Sequence, residues 1–271
     1  MPQRTFPMAV TGELAERYAA WVDAPDAGAR AKLAATVMLV RDGAAGVEVF
    51  VQRRVASMAF AARRVVFPGG SVDPGDHGPL PWAGPSLADW AGVLDAPVEV
   101  ANALVSAAIR ELFEEAGVLL AGPDGHTVLG AAREDVRLAR QRVLARQAGL
   151  GAIFGELGLV ARTDLLGYAA HWITPEVEPR RYDTHFFTAL LPPAQEADGG
   201  TTEAESAEWA RPADLLSDAD DVLMPPTRVC LEMLASADSA AEIVARRAPV
   251  PAVKPRPVPH AGGWGMQADL P

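Results

Sequence analysis

The hydrophobic positions of the chain follow two periods, and the switches between them mark its elements. AATVMLV (34–40) and VEVFVQR (47–53) are apolar, β-branched runs joined by the turn RDGAAG, which predicts a pair of core strands. LLGYAAHWIT (165–174) and YDTHFFTALL (182–191) alternate on either side of PEVEPRR and predict a second pair. Between the pairs, Val98, Ala101, Val105, Ala108, Ile109 and Leu112 recur at helical spacing, so one long helix is expected from Val98 to Ala116 with Gly117 as its stop. Other helices are expected over 13–22, with Leu14, Tyr18 and Trp21 on one side, and over 87–93, 133–149, 227–235 and 240–246. Residues 201–216 read as a loop, a short strand and a helix started by a proline. The tail from Pro249 is too rich in proline and glycine for a regular element and reads as an extended arm or as disordered.

These elements divide the chain into an entry segment (1–33), one domain (34–235) interrupted near 77–97 and 131–158, and a C-terminal helix and Pro-rich arm (236–271). No repeat period is visible. An apolar content of 49% is ample for a core. The formal charge of -11 argues against a broad nucleic-acid or membrane surface, since both need a basic face. A polyanionic substrate would therefore need local arginines or a metal. The one cysteine, Cys230, allows no intrachain disulfide and reads as a small buried apolar residue. MPQRTFPMAV lacks the apolar run of a signal peptide, and no run reaches the roughly 18 apolar residues of a membrane span. A soluble, cytoplasmic protein is expected.

The chemistry concentrates at the end of the long helix. On a helix Glu111, Glu114 and Glu115 share one side, where like charges repel. Such a cluster needs a compensating cation, either Arg110, four residues before Glu114, or a bound divalent metal. Upstream, Arg53, Arg54, Arg63 and Arg64 flank an apolar patch; they are either solvated or placed to grip substrate phosphates bidentately. Gly69 and Gly70 permit positive φ and close approach of the backbone to a ligand. His171 and His185 fall on neighbouring expected strands but, without a supporting carboxylate or cysteine spacing, are not assigned as metal ligands. The Arg-rich helix over 133–149 reads as a solvated face or an oligomer contact.

Together, FPGGSVDPGD and AAIRELFEEAGVLL resemble the Nudix box, Gly-x5-Glu-x7-Arg-Glu-U-x-Glu-Glu-x-Gly-U with U apolar. Five residues after Gly70 stands Asp76, in place of Glu, and Arg110, Glu111, Leu112, Glu114, Glu115, Gly117 and Val118 match the second half. Between Asp76 and Arg110 lie 33 residues where the pattern has seven, an insertion of 26. A box split in this way is similar to the peroxisomal coenzyme A diphosphatase-like branch of the Nudix hydrolases. ATVMLVRDG, EVFVQRR, HWITP followed by RRYDTHFF, and MPPT carry the likeness over residues 34–235.

This resemblance implies an α/β fold, the Nudix α/β/α sandwich with a mixed β-sheet, and an enzyme that uses Mg²⁺ or Mn²⁺ to direct water onto a diphosphate. Its implied substrate is a small nucleoside diphosphate-linked molecule, coenzyme A or acyl-CoA first. ADP-ribose, NADH-type molecules or another sugar nucleotide come second, and a non-catalytic ligand sensor third. The implied metal ligands are Glu111, Glu114, Glu115 and Asp76. Glu114, Glu203 and Glu205 are the candidate bases, Arg110 orders the carboxylates, and Arg53, Arg54, Arg63 or Arg64 would meet the extra 3'-phosphate. A homodimer is a family-level expectation.

Overall fold

A computed structural model describes residues 2–54, 64–130, 133–199, 204–217 and 223–271. Strand β1 (Gln3–Met8) and helix α1 (Glu13–Asp23) lead into the long strands β2 (Lys32–Gly43) and β3 (Gly46–Arg54). Short strands β4 (Val65–Val66) and β5 (Gly69–Ser71) follow, then a 3₁₀ turn over Pro74–His77, β6 (Trp82–Ala83), α2 (Leu87–Leu94) and the 19-residue α3 (Val98–Ala116). Beyond it come β7 (Ala121–Gly122), α4 (Glu134–Leu144), α5 (Leu150–Leu157), β8 (Val160–Arg162), β9 (Leu166–Ile173) and β10 (Tyr182–Leu190). The chain finishes with β11 (Ala204–Ala210), α6 (Pro212–Ser217), α7 (Pro225–Ala235), α8 (Ala240–Ala245), β12 (Arg256–His260) and β13 (Gly263–Asp269).

The central sheet runs β11-β3-β2-β10-β9, with β4 added to β3 and β5 to β2. It is mixed, because β10 runs parallel to β2 while the other pairs are antiparallel. Twelve residues make β2 long enough to pair on one edge with β5 at Ala34–Thr36 and with β3 at Val40–Gly43. Side chains alternate across it. Ala35, Val37 and Leu39 face α3 with Phe187 of β10, while Met38 and Val40 face the opposite core with Phe186. Helices α2, α4 and α5 complete the first face, and α1, α7 and α8 line the second. This is the expected three-layer sandwich.

The inserted excursion folds back onto the domain. Ser86 caps α2 by accepting the Asp89 N–H (3.1 Å), and Asp89 accepts the Ser86 N–H (2.8 Å) in return. That cap aims Trp90 into the core beside Phe187, ring centroids 5.9 Å apart. Strand β6 pairs with β8, and β8 with β7, so the excursion is tied to the segment that follows α5. Among the described residues no single helix is long and apolar enough to cross a membrane; α2 and α3 together are, but they are bent by 92° at their break.

Two expectations are corrected. The Pro-rich tail is not an irregular arm: β12 and β13 form a hairpin, and β13 pairs with β1. Pro257 and Pro259 fit because β12 is the edge strand, where a missing N–H costs no ladder bond. Ala261 and Gly262 both take positive φ, the geometry of a two-residue hairpin turn. Trp264 then meets Tyr18 of α1 edge-on at 5.6 Å. The helix expected over 133–149 ends early: α4 stops at Leu144, a turn with Arg146 at φ 55° follows, and α5 begins only at Leu150.

Candidate active site

Helix α3 ends as its sequence requires. Gly117 takes φ +70° and returns its N–H to the Phe113 carbonyl at 3.1 Å. The last two turns pack beneath β5, and there Arg110 is the hub. Its Nε and Nη2 each donate to one oxygen of Asp76 at 2.9 Å, a bidentate pair across 34 residues of sequence. Nη1 donates to Glu111 (2.8 Å) and Glu114 (3.2 Å), and Nη2 also donates to the Ser71 carbonyl (3.0 Å). The excursion therefore leaves the site at Asp76 and returns to it at Arg110. Asn102, two turns earlier on α3, holds that exit by donating to the carbonyls of Asp76 and Gly78.

Asp76 is buried, with both carboxylate oxygens on Arg110 and one also accepting the Asp73 N–H at 2.8 Å. Asp76 thus meets the Arg110 guanidinium with both of its oxygens. Glu115 is buried and accepts the Gly69 N–H at 3.1 Å. Glu114 is the most open of the three glutamates, its side chain 21% exposed.

One guanidinium among these carboxylates leaves a negative excess. Burial pushes the Glu111 carboxyl up to about 7, against the opposing pull of Arg110, with Glu114 and Asp76 adding to the rise. Burial likewise raises Glu114 against Arg110. For Arg110 burial works to lower the pKa, but the Asp76 hydrogen bonds and the charges of Glu111, Asp76 and Glu114 outweigh it and hold the group firmly charged. A cluster of oxygen donors that retains a proton near neutrality fits a hard divalent cation, which would take that proton's place.

Gly69 and Gly70 serve by closeness. Neither takes a positive φ. A Cβ on Gly70 would lie 2.4 Å from Glu111 Oε1, and one on Gly69 would lie 2.6 Å from the Ala35 carbonyl oxygen. Their backbone forms the wall over the carboxylates.

Of the four arginines, the side chains of Arg53 and Arg64 are among the described residues. Gln52 and Arg53 are consecutive on β3 and face opposite sides of the sheet. Gln52 is the one turned to α3, donating to the Glu115 carbonyl at 3.2 Å; Arg53 instead pairs with Glu208 at 3.3 Å. Arg64 leads into β4. Arg63, Glu203 and the side chains of Arg54 and Glu205 lie outside the described residues.

Three positioning residues escaped the sequence reading. Gln52 had a signal, as a polar residue on the face it shares with the buried Phe50 in VEVFVQR. Asn102 had one too, being part of a polar row with Ser106 and Arg110 at i,i+4 spacing on a mostly apolar helix. Arg140 of α4 had none that separates it from its neighbouring arginines. It donates through Nε and Nη2 to the Glu114 carbonyl (3.2 and 3.0 Å) and through Nη1 to both Asp198 oxygens (2.8 Å), capping the C-terminus of α3.

Residues 78–230 match the family model described as the NUDT19 Nudix domain. The chain belongs to this family. As a Nudix hydrolase it is 28% identical over 145 residues to the acyl-coenzyme A diphosphatase NUDT19 of Xenopus laevis, covering 48% of this chain and 38% of that protein. The match thus spans well under half the length of that relative. Among solved structures, a Nudix hydrolase from Alicyclobacillus acidocaldarius superposes with a TM-score of 0.66 at 27% identity, over 82% of this chain and 99% of that one.

Proposed function

We propose that this Nudix hydrolase cleaves the diphosphate bond of coenzyme A or an acyl-CoA. The observation that carries the chemistry is the buried carboxylate cluster around Arg110, walled by the Gly69–Gly70 backbone. The choice of substrate is supported by the match to the NUDT19 Nudix domain and by a relative named as an acyl-CoA diphosphatase.

Glu111 and Glu115 are the residues that would hold a divalent cation, Mg²⁺ or Mn²⁺, which neutralises diphosphate charge and stabilises what gathers on the phosphoryl oxygens. Glu114, more open and with a raised pKa, would accept the proton of the attacking water. The water oxygen bonds to one phosphorus as the bridging P–O bond breaks. The bridging oxygen departs with its electron pair on the second phosphate. Products would be 4'-phosphopantetheine, acylated where the substrate was, and adenosine 3',5'-bisphosphate. Asp76 and Arg110 position the three glutamates, and Arg54, Arg63 and Arg64 are the arginines proposed to meet the 3'-phosphate.

Turnover of CoA should be compared with that of ADP-ribose, NADH and nucleoside triphosphates at equal Mg²⁺. Adenosine 3',5'-bisphosphate released from CoA is the expected result. Efficient cleavage of ADP-ribose with inert CoA would overturn the substrate assignment while leaving the carboxylate chemistry standing.

A further inference from the structure

Strands β9 and β10 bring His171, Asp183 and His185 together on the face of the sheet that carries the glutamates. Pairing dictates this: His185 stands directly opposite His171, and Asp183, two residues earlier on β10, projects to the same side. The two imidazoles stack with centroids 4.0 Å apart and planes 25° from parallel. Asp183 Oδ1 lies 2.5 Å from His171 Nε2 and 3.8 Å from His185 Nε2. Among the described residues this is the one trio of His, Cys, Asp or Glu whose ligand atoms all fall within 4.8 Å of one another. The carboxylate missing from the sequence reading was Asp183.

The spacing suits a shared cation. Metal–ligand bonds of about 2.1 Å at tetrahedral angles set ligand atoms about 3.4 Å apart, and the two N···O distances straddle that value. A supporting contact is also present. The Tyr168 hydroxyl lies 2.9 Å from His185 Nδ1, so that nitrogen can donate its hydrogen to the phenol oxygen and leave the Nε2 lone pair free toward Asp183. His185 is buried, while the His171 and Asp183 side chains are 16% and 28% exposed, leaving one side of the trio open to solvent.

The trio is separate from the glutamate cluster but close to it. Gly70, Ala35, His185 and His171 form one row across β5, β2, β10 and β9. At about 4.8 Å per strand, His185 stands roughly 10 Å from the Gly70 wall. The two clusters differ in chemistry: the glutamates offer oxygen alone, whereas this trio offers two imidazole nitrogens and one carboxylate oxygen, a set suited to borderline transition cations over Mg²⁺.

We propose that His171, Asp183 and His185 form a second cation site that binds Zn²⁺ or a similar transition ion, with its fourth position open on the glutamate face of the sheet. The inference stands independently of the substrate assignment. Its test is titration of the chelator-treated full chain with Zn²⁺ alone by calorimetry, and with Co²⁺ alone by visible absorption, where a tetrahedral N₂O site gives intense bands. In the Glu111→Gln/Glu115→Gln variant one Zn²⁺ per chain should still bind and the Co²⁺ bands should persist. His171→Ala and Asp183→Asn, each confirmed folded by circular dichroism, should weaken Zn²⁺ by at least about 100-fold and abolish the bands. The proposal is overturned if the wild type binds no Zn²⁺, or if Zn²⁺ binding survives both substitutions in the trio and disappears with the glutamates. Because the Co²⁺ spectrum of the wild type reads ligand geometry directly, a variant that failed to fold would not remove the test: absence of tetrahedral bands there also sinks it.

Discussion

Arg110 offers one positive charge to three hydrogen-bonded carboxylates, of which Asp76 and Glu111 are buried with it. Removing it leaves buried carboxylates without their partner, so Arg110→Ala is expected to cost about 3–5 kcal/mol in denaturant unfolding. Arg110→Lys keeps the charge but loses the planar fork that grips Asp76, so it should recover only part of that stability. Gly70→Ala tests closeness instead of charge. A methyl 2.4 Å from Glu111 Oε1 must push the carboxylate aside, and a displacement of about 1 Å at a catalytic group can cost 10²-fold. A fall in kcat of that order with an unchanged far-UV spectrum is expected. Glu114→Gln should lower kcat by about 10²–10⁴-fold while leaving Mg²⁺ affinity close to wild type, if Glu114 takes the proton. Cys230 of α7, buried in the second core, is a different case: burial pushes its thiol up to about 12, which leaves almost no thiolate at pH 8. It should resist thiol reagents in the native state and react once the chain is unfolded.

At the scale of elements, α3 was legible because periodicity, the Gly117 stop and the crowded glutamates all agreed on one helix. The C-terminal hairpin was not. Its composition signalled irregular chain, since proline and glycine abound there, and only the sheet order shows that the prolines sit on an edge and the glycine in a turn. Met266 of β13 is buried among residues of the second core. If the tail packs this way, Met266→Ala should lower stability by about 2–5 kcal/mol in a denaturant titration. An unpacked arm would show no change. Arg140 makes a related point about α4: an Arg-rich amphipathic stretch looks solvated from sequence, yet one of its arginines closes the end of the catalytic helix.

For the molecule as a whole, the two cores on either side of the sheet are built from apolar side chains and need no cation to form. Chelation should therefore abolish hydrolysis while leaving the far-UV circular dichroism and the cooperative unfolding transition in place, and Mg²⁺ or Mn²⁺ should restore activity. Loss of the fold on chelation would contradict that separation of scaffold from site. The excursion between Asp76 and Arg110 belongs to this scale as well. By pairing β6 with β8 it couples the loop leaving the site to the helical segment beyond α3.

The sequence by itself determined the elements and the chemical identity of the glutamate helix, because hydrophobic period and the spacing of Arg110, Glu111, Glu114 and Glu115 are local properties of the chain. Asp76 could be found by counting from Gly70, but its task could not, since a bidentate grip on Arg110 depends on how 33 intervening residues fold out and return. Gln52 and Arg53 show the same limit on a strand: the alternation is written in the sequence, but which side meets α3 is set by packing. His171, Asp183 and His185 were all in view along the chain, and only the pairing of β9 with β10 turned them toward one point. Tertiary structure decided what each polar group faces, because a side chain's partner is chosen by strand register and layer packing across long sequence separations.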